Sequence, residues 1–133
     1  MNKIKEFRDE YRWLSNFIGG VEQKYQAAKC KHEEDAQKIL RMKPGEAKRA
    51  GRKVEMRENW EEIKLTVMED LLRSKFNSEP FRTNLIKTGN MEIIEGNTWG
   101  DKFWGVDLQS GIGENHLGKL IMKIRSELQQ QEN

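Results

Sequence analysis

The sequence predicts a mainly helical α+β fold with a small β-sheet, in a single domain covering residues 1–133. Two long segments, Trp60 to Phe76 and Leu117 to Leu128, repeat apolar residues at helical spacing. Only Met91 to Glu95 alternates with β-branched residues in the manner of a strand. No internal repeat, low-complexity run or Pro/Gly/Ser-rich linker divides the chain, and 133 residues suffice for one core but not for two ordinary domains.

Each element has its own local reason. Ile4, Phe7, Tyr11, Trp13 and Phe17 are expected to form a strand or loop packed on the helical body. Glu22 to Lys31 reads as a first helix and Glu33 to Met42 as a second. Pro44 opens a third at its first turn and Gly51 closes it, the usual asymmetry of proline and glycine at helix ends. Trp60 to Phe76 is the clearest helix, with Ile63, Val67 and Leu71 beside Trp60, Met68 and Leu72 forming a core stripe. Ser78 is placed to cap a short helix carrying Phe81 and Leu85 and ending near Gly89. After the strand at Met91 to Glu95, Gly96-Asn97 turns the chain, and Phe103 to Val106 reads as a second short strand. Asn115 caps the last helix, whose Leu117, Leu120, Ile121, Ile124 and Leu128 face inward. The expected sheet is therefore built from residues 3 to 18 and 91 to 106. The domain core runs from about residue 7 to 128, with a Gln-rich tail, 129–133, expected to fray.

Composition excludes several function classes. Lys and Arg number 24 against 22 Asp and Glu, so a net charge of +2 gives no field for general nucleic-acid binding. The basic cluster Lys48, Arg49, Arg52 and Lys53 has no nucleic-acid motif around it. No apolar run approaches the roughly 18 residues of a membrane span, and the first ten residues lack the apolar centre of a signal peptide. A cytoplasmic protein is expected, in the host cytoplasm for a viral chain, with no membrane partner. One cysteine, Cys30, allows no internal disulfide and reads best as a small buried residue. With two histidines, His32 and His116, it makes no convincing zinc site, so no metal and no cofactor is expected.

The chemistry concentrates in Glu22-Gln23-Lys24-Tyr25-Gln26-Ala27-Ala28-Lys29. On a helix, Glu22, Gln26 and Lys29 stand at i, i+4 and i+7 and share one face, with Tyr25 at its edge. The pattern fits a solvated helix face as well as a pocket wall. Order along the chain supplies the rest. Leu14-Ser15-Asn16-Phe17, Glu22-x-x-Tyr25-Gln26-Ala27-x-Lys29, Ala47-Lys48-x-x-Gly51-Arg52 and Trp60 come first. Met68 to Phe76 with its terminal Lys75-Phe76, Thr88-Gly89, Asp101-x-x-Trp104-Gly105 and Asn115-x-Leu117-Gly118 follow. In that succession the chain resembles the NADAR (YbiA-like) family over nearly its whole length. Two departures stand out: Gln23 occupies the place of the family's usual histidine, and the stretch from Phe17 to Glu22 is shorter than usual.

The resemblance implies a link to NAD and ADP-ribose metabolism and hydrolysis at ribose C1. Breaking an N-glycosidic bond builds positive charge on that carbon, which calls for a carboxylate close to it and a proton for the leaving base. Glu22 and Asp101 are implied in those roles, although either acid can equally be a surface charge. Lys29 is implied as a nucleophile that forms a Schiff base with the opened ribose, against the alternative of an ordinary solvated lysine. Trp60, Trp99 and Trp104 are candidates to stack on a base; Trp104 beside Gly105 reads as pocket wall, and Trp60 as core or site. Ser15 and Asn16 suit ribose hydroxyls or phosphate, or a turn; Lys48 and Arg52 suit phosphate, or a surface charge pair. Tyr25, Gln26 and Asn115 complete the implied ligand contacts. Two substrates fit the family: an ADP-ribosylated guanine base in nucleic acid, and a phosphoribosylamino-pyrimidine intermediate of riboflavin synthesis. A non-catalytic ADP-ribose-binding module is the competing reading, with Gln23 in its favour and intact Glu22 and Lys29 against it. The oligomeric state is left open.

Overall fold

The structure, a computed structural model, describes residues 2–132. It divides into two compact units: one comprises the described residues up to Ser15 together with those from Leu72 onward, the other Asn16–Leu71.

The first unit carries the sheet. Strand β1 (Lys3–Glu6) pairs in parallel with β2 (Glu92–Asn97), and β2 with β3 (Val106–Asp107), in the order β1-β2-β3. Ile4 and Ile93 face each other across the first pair, and both are fully buried. The expected strand-rich N-terminus stops at Glu6, and Asp9–Leu14 forms a 3₁₀ helix. Asp9 sits at φ 53, in the left-handed region that an extended strand does not use, so the chain coils there and buries Leu14. The expected second strand at Phe103 to Val106 is likewise displaced to Val106–Asp107.

Two helices complete this unit. Helix α5 (Phe81–Lys87) begins on Pro80, and Ser78 contributes its backbone carbonyl to Arg82 N–H, not a side-chain cap. The Glu79 carboxylate meets the Thr83 N–H instead, at 2.9 Å. Helix α6 (His116–Gln131) buries Leu117, Ile121, Ile124 and Leu128, as its periodicity requires, while Leu120 is half-buried. It continues through the tail expected to fray. Gln129 donates to the Gly89 carbonyl at 2.8 Å, and Arg82 reaches Gln131 and Glu132, so polar contacts hold the end that composition alone leaves loose. Asn133 lies outside the described residues.

The second unit is helical. It holds α1 (Val21–Lys29), α2 (Glu33–Leu40) and α3 (Pro44–Ala50), packed around Cys30, Ala36, Ile39 and Ala47. Most of α4 (Trp60–Phe76) also belongs to it, with residues 72–76 counted in the first unit. The bounds of α4 match the sequence reading, but its most buried line is Trp60, Met68, Leu72 and Phe76, with Ile63, Val67 and Leu71 half-buried at its flank. Cys30 is buried, as expected of a small apolar residue; burial first and Asp35 second push its thiol pKa up. Among the described residues no helix is long and apolar enough to cross a membrane, and no group of three His, Cys, Asp or Glu side chains is arranged to hold a metal.

Candidate active site

Helix α1 is fixed at both ends. At its start the Glu22 N–H donates to the Asn16 carbonyl at 3.0 Å. At its end Cys30 turns extended and bridges to Met56, and the Lys29 carbonyl accepts from Arg57 N–H at 3.1 Å. These bonds satisfy groups that a helix terminus otherwise leaves open. Side chains along α1 therefore start from a rigid base.

On that base the face predicted from spacing exists. Glu22 is only 8 % exposed, and the Gln26 amide donates to its Oε2 at 2.7 Å. A bond this short to a carboxylate orients the carboxyl plane and fixes the amide's own rotamer. With its nitrogen committed, Gln26 presents Oε1 buried and without a hydrogen-bond partner among the described residues. Asn16 repeats the arrangement. Its Nδ2 donates to Met68 Sδ at 3.6 Å, leaving Oδ1 buried and unpartnered. Buried acceptors without donors are uncommon because each forfeits its hydration. Among the described residues such acceptors stand on Asn16, Gln23 and Gln26, all in the second unit, and Gln26 is the one bonded to the buried carboxylate.

Lys29, one further turn along α1, is half-buried. Burial lowers its pKa; the nearby Cys30, Glu61 and Glu22 oppose that shift and the Arg52 charge reinforces it. Arg52 thus acts on the lysine electrostatically from beyond the end of α3. Lys48, on α3, sits over the Phe17 ring at 5.8 Å. Trp60 resolves to core: it is 3 % exposed and packs on buried Tyr25 with ring centres 5.0 Å apart. Tyr25 belongs to α1, so the ring pair packs α1 against the start of α4.

Gln23, the departure from the family pattern, points away from this face. Its Nε2 donates to the Met42 carbonyl at 3.3 Å, at the end of α2. The amide ties helices together inside the second unit, so its exchange for histidine touches packing before chemistry.

Gly51 was legible only as a helix terminator. Its backbone is right-handed, φ −60 and ψ −20, so no left-handed cap requires glycine there. Space does. A Cβ on Gly51 would collide with Oε1 and Cδ of Gln26, so the absent side chain makes room for the amide that holds Glu22.

The remaining predicted residues lie in the first unit. Asp101 Oδ1 accepts from the N–H groups of Phe103 and Trp104 at 3.1 and 3.0 Å, which shapes the turn after β2. Asn97 braces that turn from the strand: its Oδ1 accepts from Asp101 N–H at 2.9 Å, and its Nδ2 donates to the Asp101 carbonyl and to Glu95 Oε2. Trp104 is half-buried and stands edge-on to Phe103 at 4.9 Å. Gly105 does allow a close approach, but the approaching groups are Glu95 and Asn97 of β2. Asn115 is not a side-chain cap. It sits at φ 53, its Oδ1 accepts from Glu95 N–H at 3.0 Å, and its Nδ2 donates to the Ile93 carbonyl at 2.9 Å, so the amide binds β2. Ser15 offers its carbonyl to Lys75 Nζ at 2.9 Å. Sequence reasoning passed over Glu61 and met Lys75 only within the Lys75-Phe76 pair, since nothing in a sequence marks one lysine among many as buried.

Comparison with known proteins gives the family. The chain matches the NADAR domain over residues 5–129. It is 37 % identical over 135 aligned residues to the N-glycosidase YbiA of Escherichia coli, covering 90 % of this chain and 83 % of that protein. It is 36 % identical to the riboflavin biosynthesis protein VVA0006 of Vibrio vulnificus, over 80 % of this chain but 29 % of that longer protein. The NMR structure of the Escherichia coli protein YbiA superposes with a TM-score of 0.85 at 32 % identity, covering 99 % of this chain and 89 % of that one. The chain belongs to the NADAR family and is a glycosidase.

Proposed function

We propose that this glycosidase hydrolyses the bond between C1 of a phosphorylated ribose and the nitrogen of a base, with Glu22 and Lys29 as its reacting groups. The observation that carries the reading is the α1 face: a buried carboxylate oriented by Gln26, and an amine with lowered pKa about two turns further on. Lys29, as the neutral amine, adds to C1 while the C1–N bond breaks and its electron pair leaves with the base. Glu22 takes the proton that Lys29 gives up in becoming the neutral amine and passes it to the leaving base. The ribose ring then opens: the C1–O bond breaks, the ring oxygen takes a proton from the Lys29 nitrogen, and the nitrogen's freed electron pair forms the C1=N bond of a protonated Schiff base. Glu22, now ionised, draws a proton from water as its oxygen adds to C1, then returns that proton to the Lys29 nitrogen, which leaves as the amine while the new hydroxyl loses its proton and C1 becomes the aldehyde. The net change consumes one water and releases free base and sugar. Unpartnered Asn16 Oδ1 accepts a hydroxyl or amino hydrogen of the substrate.

Two leaving bases suit this chemistry. An ADP-ribosylated guanine base in nucleic acid is the first; Lys48 and Arg52 then meet phosphate. A phosphoribosylamino-pyrimidine intermediate of riboflavin synthesis is the second, favoured by the similarity to a protein named for riboflavin biosynthesis. Incubation with each substrate, with NAD and with ADP-ribose, read by product mass, tests both. Release of free base from one N-glycoside is expected. Binding of every compound without turnover would reject the glycosidase reading.

A further inference from the structure

The second unit holds three side chains of the Phe, Tyr and Trp kind, and the fold commits two of them to packing. Tyr25 and Trp60 are buried against each other. Phe17 is different: 36 % of it is exposed, yet its ring has a fixed neighbour. Lys48 Nζ lies over that ring, 5.8 Å from its centre, and a cation over one face is attracted by the ring's quadrupole. A singly exposed apolar residue is ordinary on a protein surface, so exposure alone says little. The position of Phe17 says more.

Two connections inside this unit place the ring beside the Glu22 face. Along the chain, Phe17 follows Asn16, whose carbonyl accepts the Glu22 N–H at 3.0 Å and whose Oδ1 is buried and unpartnered. Across the unit, Lys48 stands on α3 three residues before Gly51, and the Gln26 amide that bonds Glu22 lies against Gly51. The ring therefore sits between the start of α1 and α3, next to the buried carboxylate. We infer that Phe17 is the platform on which the flat leaving base stacks, with Lys48 bracing the ring from α3, and that it sets the preference for an aromatic base on ribose C1. Within this unit the stacking role that the sequence suggested for Trp60 passes to Phe17. An aromatic face accepts any base with a π-face, so a purine and an aminopyrimidine both suit it. That the stacked ring is the leaving group rests on the proposed function above; that Phe17 binds a flat nitrogenous ring does not.

Calorimetric titration with guanosine monophosphate, cytidine monophosphate and ribose 5-phosphate tests this without turnover, because the last shares the sugar phosphate and lacks the base. The natural protein is expected to bind at least one nucleotide more tightly than ribose 5-phosphate. Phe17→Ala should weaken that nucleotide by about 10- to 100-fold, the weight of one base–aromatic stack, and leave ribose 5-phosphate within about twofold. Phe17→Leu keeps the apolar bulk but has no ring face, so it should lose as much as the alanine variant and replaces it should that one fail to fold. Phe17→Tyr keeps the face and should bind as the natural protein does. A preference for the guanine nucleotide points to the purine source of the base, and a preference for the cytosine nucleotide to the pyrimidine source; either supports the stack. Equal binding of nucleotides and ribose 5-phosphate by the natural protein, no binding of either nucleotide, or full nucleotide affinity in the leucine variant overturns it. On the N-glycoside that the natural protein cleaves, KM of the leucine variant should rise by the same factor with kcat nearly constant, the mark of lost uniform binding. Absence of turnover in the natural protein would sink the proposed function and leave the nucleotide comparison standing.

Discussion

The α1 face and the turn around Asp101 both gather carboxylates and amides, yet they dispose of their hydrogen bonds in opposite ways. Around Asp101 the amide groups are closed on the backbone: Asn97 binds Asp101 through both its atoms, Asn115 binds Ile93 and Glu95, and Asp101 Oδ1 holds two N–H groups. On α1, Gln26 and its neighbour Asn16 each have a donor engaged and an acceptor left bare. A saturated network stiffens a fold, whereas bare buried acceptors lower stability until something fills them. The difference supports the proposal that α1 carries the ligand face, while the bonds of the 97–115 network stiffen its turn.

Changing the charge at the centre of the open face should have the largest effect. Glu22→Gln keeps the shape and the contact with Gln26 but cannot exchange a proton, so turnover should fall about 100- to 10,000-fold while thermal unfolding stays near that of the natural protein. An unaltered rate would remove Glu22 from the chemistry.

Lys29→Arg sharpens the same side of the comparison. The guanidinium keeps the charge but not the nucleophile, and loss of most activity, again by about 100-fold or more, is expected. Cyanoborohydride added during turnover should trap one sugar on Lys29 of the natural protein, visible as a single mass increase, and none on the variant. Labelling spread evenly over many lysines would instead mark slow glycation and make Lys29 a binding residue.

Gly51→Ala attacks the open face from behind. The new methyl group must displace the Gln26 amide and with it the orientation of Glu22. A shift of about 1 Å at a reacting group costs on the order of 100-fold in rate, and kcat should carry most of that loss. A variant with full kcat would show that Gln26 can move without consequence for Glu22.

These tests also show what the sequence displayed. Helix α4 was readable to its ends because its apolar repeat runs through four turns without a breaker. The Glu22, Gln26 and Lys29 face was readable because helical spacing is strict. Asn115 was half readable: asparagine before an apolar helix signals a cap, and the chain does start a helix there, but the amide found better partners in β2. Gly51 and Lys75 were not readable in their real roles. Glycine after a helix looks the same whether it serves a turn or clears space for a neighbour, and burial of a lysine is decided by Phe76, Phe81 and a distant carbonyl that only the fold assembles.

Asp101 gives the smallest expected change and the closest test of the comparison. The turn uses Asp101 Oδ1 as an acceptor for Phe103 and Trp104, a task that asparagine performs equally well. Asp101→Asn should therefore shift stability by less than about 1 kcal/mol, whereas Asp101→Ala, which strands two N–H groups, should cost about 1–3 kcal/mol. The resemblance that names Asp101 asks for its charge, and the turn asks only for its oxygen. We expect the asparagine variant to lose about tenfold in turnover at unchanged Tm, a loss worth 1.4 kcal/mol at the barrier by the usual conversion. Turnover equal to that of the natural protein would make Asp101 part of the scaffold alone and leave the reaction to the α1 face.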